Sequence, residues 1–323
     1  MFIEASDNGG CAGRFAPSPS GRMHLGNIFT ALISWLDARR AGEPWTLRIE
    51  DLDPQRSRRE YARMIEDDLR WLGLHWDRGG LDDRKGADSF LQSERFHVYE
   101  HFLNKLIDTG LVYPCHCSRA DIRATQAPHS TDGRVIYAGT CRPAAFPSIP
   151  SKEVLEGSTL RLYIPDMDIT VTDRLQPAVT VKPALLTGDM VLRRADGAWA
   201  YQLAVVVDDA LMGVNSVVRG ADLLEATASQ IYLQHLLGFP TPSYLHVPLL
   251  CNSAGQRLSK RDGSLSMEAL RMRYSPEKII GMLGALAGLC DYGSELTASQ
   301  LLEKYRPEKL RSVSKLTVPD RYI

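Results

Sequence analysis

Apolar side chains recur with a helical period in some stretches of this chain and in short unbroken runs in others. Phe29, Leu32, Ile33 and Leu36 stand at i, i+3, i+4 and i+7, which predicts an amphipathic helix over residues 27–41. A short apolar run after Gly42 and Pro44, residues 45–49, reads as a strand. Tyr61, Met64, Ile65, Leu69 and Leu72 form a second helical stripe that stops at Gly73. Tyr99, Phe102, Leu103, Leu106 and Ile107 form a third, ended by Gly110. Strands alternating with helices imply a parallel sheet covered on both faces.

The period fails after Tyr113. Residues 114–150 are rich in Cys, His, Ser, Pro and Gly, and residues 159–181 read as β-rich. The alternation resumes near Trp199, with a helix over 201–211, a strand over 216–218, a helix over 224–237 and a strand over 245–250. After Gly263 the chain reads as helical to its end, with segments at 267–273 and 276–289. The expected organisation is an α/β, Rossmann-like catalytic domain with an insertion. Its first half is 1–113, a metal-stapled and β-rich subdomain fills 114–198, the second half is 199–263, and a short helical region is 264–323.

Composition narrows this little. The 323 residues suggest about two domains, or one with an insertion. With 44% hydrophobic and 24% charged residues the chain is globular, not disordered, collagen-like or a disulfide scaffold. Lys plus Arg is 38 against 39 for Asp plus Glu, so any nucleic-acid binding needs a local basic face. One candidate is Lys304, Arg306, Lys309, Arg311 and Lys315, which a solvated helix face explains equally well. The start of the chain carries Glu4 and Asp7 and no early Lys or Arg, unlike a secretory signal. The apolar run 279–290 falls short of the roughly 20 residues of a membrane helix. A cytoplasmic protein without membrane contact is expected, and its clustered cysteines then suggest metal before disulfide.

Three constellations carry chemistry. In the first, Arg14-Phe15-Ala16-Pro17-Ser18-Pro19-Ser20-Gly21 is followed by His24-Leu25-Gly26-Asn27. A strand end, a tight turn and a helix start bring amide groups that favour a phosphate. Gly26 admits close approach of a nucleotide, and His24 can donate to a phosphate oxygen. The second is Arg257-Leu258-Ser259-Lys260-Arg261, cations around one hydroxyl. The third is Cys115-x-Cys117 with Cys141, three thiols that lack a fourth zinc ligand. His116, His129 and Tyr137 are the candidates, and general zinc chemistry favours His129.

Taken together, the first two constellations resemble the paired His-Ile-Gly-His and Lys-Met-Ser-Lys-Ser signatures of class I aminoacyl-tRNA synthetases. Residues 14–21 and Leu47-Arg48-Ile49-Glu50-Asp51-Leu52-Asp53 look specifically like the glutamyl branch. Asn27 replaces the second His, and Arg257 replaces the first Lys, each keeping a polar donor or a cation. The resemblance implies ATP-dependent activation of L-glutamate, with His24 and Lys260 stabilising phosphate charge and Mg²⁺ arriving with ATP. It places Gly26, Asn27, Arg257 and Ser259 around ATP as well. It assigns Arg14, Ala16, Ser18, Glu50, Tyr201 and Arg219 to glutamate, with the arginines on carboxylates and Glu50 on the ammonium. Asp208 and Asp209 fit a strand end of the family and receive no role. The family pattern makes Tyr137, a phenolate, the fourth ligand of a structural Zn²⁺ with Cys115, Cys117 and Cys141.

Only residues 264–323 follow the second signature, short for an anticodon-binding region. That, with the Cys-x-Cys insertion, is similar to the glutamyl-queuosine tRNA(Asp) synthetases. The resemblance implies glutamate activation without tRNA, then transfer to queuosine at the wobble position in the anticodon arm of tRNA(Asp), by a monomer. A shortened glutamyl-tRNA synthetase charging an acceptor end stays open as an alternative. So does a catalytically silent paralogue that binds tRNA or a protein.

Overall fold

The computed structural model describes residues 12–83, 89–124, 136–258 and 265–322. In chain order its elements are β1 (Ala12–Phe15), α1 (Leu25–Ala41), β2 (Trp45–Leu47), α2 (Arg59–Trp71), β3 (Arg78–Gly79), α3 (Phe96–Asp108), β4 (Val112–Cys115), α4 (Arg119–Ala124) and α5 (Lys152–Leu155). There follow β5 (Thr159–Leu162), β6 (Ile169–Val171), β7 (Val179–Val181), α6 (Pro183–Leu186), β8 (Met190–Arg193), α7 (Tyr201–Leu211), β9 (Val214–Gly220), α8 (Thr227–Leu237), β10 (Ser243–Val247) and β11 (Leu249–Cys251). The chain closes with α9 (Met267–Arg273), α10 (Pro276–Ala287), α11 (Ala298–Lys304) and β12 (Lys315–Thr317).

The main sheet runs β10-β9-β1-β2-β3 with every pairing parallel. Its two halves meet where β1 lies between β9 and β2, so connections leave in opposite directions there and open a crevice at the strand C-termini. Side chains alternate across the sheet. Phe15, Trp45, Leu47, Val218, Leu245 and Val247 pack with α1, α2 and the C-terminal helices. Val214, Val217 and Tyr244 face the opposite way, onto α3, α7, α8 and the inserted strands. The expected doubly covered α/β sheet is therefore present.

Helix α1 is buried on most of its circumference, including Ser34 and Asp37, not along one stripe. The sheet lies on one side of it, while Tyr305, just past α11, donates to Asp37 at 3.2 Å from the other. Between α3 and α7 lie an antiparallel β4-β5-β8 sheet and a β6-β7 hairpin.

Two expectations fail. The strand predicted over 245–250 is broken at Pro248, which has no N–H to give to a ladder. β10 completes the main sheet, whereas β11 leaves it to pair in parallel with β12. The chain beyond Gly263 is consequently not helical to its end. Three-residue strands are too short to show a period.

Candidate active site

The alternation that sends Phe15, Leu47, Val218 and Val247 to one core sends Arg14, Arg48, Arg219 and His246 to the other face, over α7. All four are buried. Helix α7 meets them with Tyr201, Asp208 and Asp209, so the two aspartates lie within a helix and not at a strand end. Asp209 Oδ1 accepts from Arg14 Nε at 3.2 Å and from Arg48 Nη1 at 2.7 Å. Arg48 Nη2 donates to Glu50 Oε1 at 3.2 Å. Asp208 accepts from Arg95, Gln92 and Tyr99 at 2.7–2.8 Å. Three guanidinium groups (Arg14, Arg48, Arg95) thus balance three carboxylates in a buried layer, the condition under which buried charge is tolerated.

The balance is uneven. Burial raises Glu50 above the usual carboxylate range even though Arg48 and Arg14 pull it down. Burial would raise Asp209 too, but Arg14 and Arg48 hold it below its ordinary value. Tyr201 is pushed up to about 12 by burial and the charge of Glu50. It is a neutral hydroxyl at physiological pH.

A cavity of about 400 Å³ opens at the crevice. Arg14, Ala16, Ser18, His24, Gly26, Asn27, Glu50, Tyr201, Arg219 and Arg257 all line it. The volume suits a small-molecule substrate.

His24 is the N-cap of α1, and its Nδ1 accepts the Gly26 N–H at 3.1 Å. A neutral ring with Nδ1 accepting carries its proton on Nε2. Asn27 returns the cap, with Oδ1 accepting the His24 N–H at 3.2 Å. Its amide NH₂ remains the donor end. A Cβ on Gly26 would lie 3.0 Å from His24 Cε1, so glycine keeps the ring in the cap.

Ser259 and Lys260 lie outside the described residues, as do Cys11 and His129, but both flanks of the second signature are placed. Cys251 bridges Arg257, and His24 bridges Ser266. The Met267 N–H donates to the Met23 carbonyl at 2.9 Å. The flanks of the second signature thus lie beside the first at one end of the cavity. Arg257 is paired with Asp222 at 2.5 Å and is half-exposed.

Arg219 sits opposite His246 in the β9-β10 register. Its Nε donates to His246 Nε2 at 3.0 Å and its Nη2 to Thr227 Oγ1 at 2.6 Å. Nη1 is buried with no partner. Such an orphan donor in a cavity wall suits an anionic ligand.

The insertion brings together the thiols of Cys115, Cys117 and Cys141, all within 4.8 Å of one another. The Tyr137 hydroxyl lies 3.5 Å from Cys115 Sγ and accepts the Cys141 N–H at 2.8 Å. Three sulfurs and a phenolic oxygen fit a tetrahedral zinc. Gly188, at φ +65°, makes room for this tyrosine, because a Cβ there would stand 2.4 Å from the Tyr137 carbonyl oxygen. Arg161 lies 3.8 Å over the Tyr137 ring.

Sequence reasoning gave no role to Arg48, Asp208 or Asp209 and did not name Asp173, Thr227 or His246. The available signals were polar residues flanked by apolar ones in strand-like runs, Leu47-Arg48-Ile49 and Leu245-His246-Val247.

Residues 11–312 match the family described as tRNA synthetases class I (E and Q), catalytic domain. The chain is 46% identical over 296 residues to a glutamyl-Q tRNA(Asp) synthetase of Symbiobacterium thermophilum, covering 90% of each. It is 47% identical over 281 residues to that of Nitratidesulfovibrio vulgaris, covering 86% of each. Among solved structures it resembles a glutamate tRNA ligase from Elizabethkingia meningosepticum in complex with its amino acid. The TM-score is 0.80 at 25% identity, over 97% of this chain and 68% of that one. Among the described residues, no helix is long and apolar enough to cross a membrane.

Proposed function

The chain belongs to the class I tRNA synthetases for glutamate and glutamine, and we propose on that premise how its own residues activate glutamate and pass it to queuosine of tRNA(Asp). The observation that carries this reading is the near end-to-end match to relatives named glutamyl-Q tRNA(Asp) synthetase, joined to a cavity lined by the first signature and by Arg257 and Leu258 of the second.

In the first step a glutamate carboxylate oxygen attacks the α-phosphorus of ATP. The bond to pyrophosphate breaks and glutamyl-adenylate forms. No protein nucleophile is required, so the chain contributes position and charge. The end of the Arg219 guanidinium and Arg14 receive the two carboxylates, and Glu50 receives the ammonium. Tyr201 adds a hydroxyl, and Ala16 and Ser18 close the wall. The start of α1, the Nε2–H of His24 and the Asn27 amide face the phosphates, with Arg257, Ser259 and Lys260 opposite and Mg²⁺ carried by ATP. In the second step a queuosine hydroxyl attacks the activated carbonyl and AMP leaves. Cys115, Cys117, Cys141 and Tyr137 hold a zinc ion that ties the insertion together, since structural zinc supplies folding energy directly. The protein acts as a cytoplasmic monomer on the anticodon arm.

The test is transfer of labelled glutamate to tRNA(Asp) with and without queuosine, beside pyrophosphate exchange without tRNA. Exchange without tRNA and transfer only to the queuosine-bearing tRNA are expected. Exchange that needs tRNA, with acceptor-end charging, would establish a shortened glutamyl-tRNA synthetase. Absence of both activities would establish a silent paralogue.

A further inference from the structure

Beneath Arg219 lies a second layer that no part of the reaction above uses. His246 is fully buried. Its Nδ1 is 2.6 Å from Asp173 Oδ2, and its Nε2 is the acceptor of Arg219 Nε. Asp173 belongs to the loop that follows β6 in the insertion. Its Oδ1 accepts the N–H groups of Leu175 and Gln176 at 2.9 and 2.8 Å. Gln176 then donates to the His246 carbonyl at 2.9 Å, locking loop to strand.

These contacts fix the ring proton, and the Thr227 hydroxyl has two acceptors in reach, the Leu223 carbonyl at 2.8 Å and His246 Nε2 at 3.2 Å. Arginine is always charged, so Nε carries a hydrogen and His246 Nε2 must be the bare acceptor. The ring proton therefore sits on Nδ1 and points at Asp173. Whichever of its two acceptors Thr227 donates to, its oxygen is free to accept from Arg219 Nη2. Two of the five N–H donors of Arg219 are spent on one edge, and the end-on pair, Nη1 with the second hydrogen of Nη2, is left.

We infer that Asp173 and His246 are positioning residues for glutamate selection, orienting Arg219 so that its end-on fork meets a carboxylate. This rests on the reading that Arg219 holds the side-chain carboxylate of glutamate, the group in which glutamine differs. A carboxylate accepts both bonds of the fork, whereas an amide nitrogen presents hydrogens to it. An arginine free to rotate could offer one bond to either, so the relay separates glutamate from glutamine by fixing the plane.

The variant Asp173→Asn keeps an oxygen for the Leu175 and Gln176 amides but turns an NH₂ toward His246. The ring must then accept at Nδ1 and carry its proton on Nε2, against the Nε–H of Arg219. Loss of tautomer through an Asp-to-Asn change has a precedent in the serine protease triad. Pyrophosphate exchange is measured against glutamate, glutamine and ATP concentration. Asp173→Asn should raise the glutamate KM about tenfold to a hundredfold, the scale of a hydrogen bond to a charged group. Its kcat and ATP KM should hardly move, and its preference over glutamine should shrink. His246→Gln, which retains an acceptor for Arg219, should stay near the parent, while His246→Asn, which keeps only the Asp173 contact, should behave like Asp173→Asn. This pair decides the matter even if Asp173→Asn folds poorly. Equal kinetics for His246→Gln and His246→Asn, or parallel losses in kcat and both KM values, would overturn the relay. Arg219→Lys is the reference: if it leaves the glutamate KM unchanged, the carboxylate assignment itself fails, and the relay with it.

Discussion

Replacing Arg48 by methionine removes the cation at the centre of the buried charge layer while nearly preserving length. The guanidinium is 0% exposed, and contacts Asp209 at 2.7 Å and Glu50 at 3.2 Å. At an effective dielectric of about 20, each contact is worth roughly 5–6 kcal/mol of attraction. Desolvation of the ions cancels much of that, and breaking such a pair from one side costs about 3–5 kcal/mol. Asp209 keeps Arg14 after the change, whereas Glu50 loses its hydrogen-bond partner. Most of the loss should therefore fall on Glu50, whose buried carboxylate keeps only the attraction of Arg14. Urea unfolding with the metal loaded should show Arg48→Met less stable by about that amount. Adding Glu50→Gln, which takes away the stranded charge, should recover a large part of it. A loss under about 1 kcal/mol, or a double variant worse than the single, would refute the reasoning.

Two further outcomes are expected. Metal analysis should find one zinc per chain, and chelation should lower the melting temperature while pyrophosphate exchange persists below it; abolition of exchange with the fold intact would speak for a catalytic ion. Burial, with Arg219 and Arg14 nearby, keeps His246 from protonating at its ordinary value near 6.5, against the pull of Asp173. Unfolded chain binds that proton and native chain does not, so stability should fall as pH drops below about 6.5. Melts at pH 7 and pH 5.5 should show this, and His246→Gln should flatten the difference; an unchanged difference would contradict it.

Much of the cavity was legible because its chemistry demands particular residue types at fixed spacing. Arg14 to Ser18, His24 and Gly26 announce a strand, a turn and a phosphate-facing helix start. The layer behind was harder to read. Arg48 and His246 look like interruptions in apolar runs, and their partners Asp209 and Asp173 are distant in the chain. A buried charge declares itself only when the opposite charge is placed beside it, which is a tertiary fact. Helices α1, α2 and α3 were visible from their period, whereas β11 and β12 have three residues each and no period to show.

The pairing of β11 with β12 has a consequence for synthesis. Strand β11 is the stalk ahead of the second signature, and its partner comes much later in the chain, Leu249 standing opposite Lys315. A ribosome delivers residues in order, and the early helices and strands can settle while later ones are still being made. The stalk cannot be paired until residues 315–317 have emerged. The cavity wall built from β1, β2 and β9 can therefore assemble before the stalk beneath Arg257 has its partner strand.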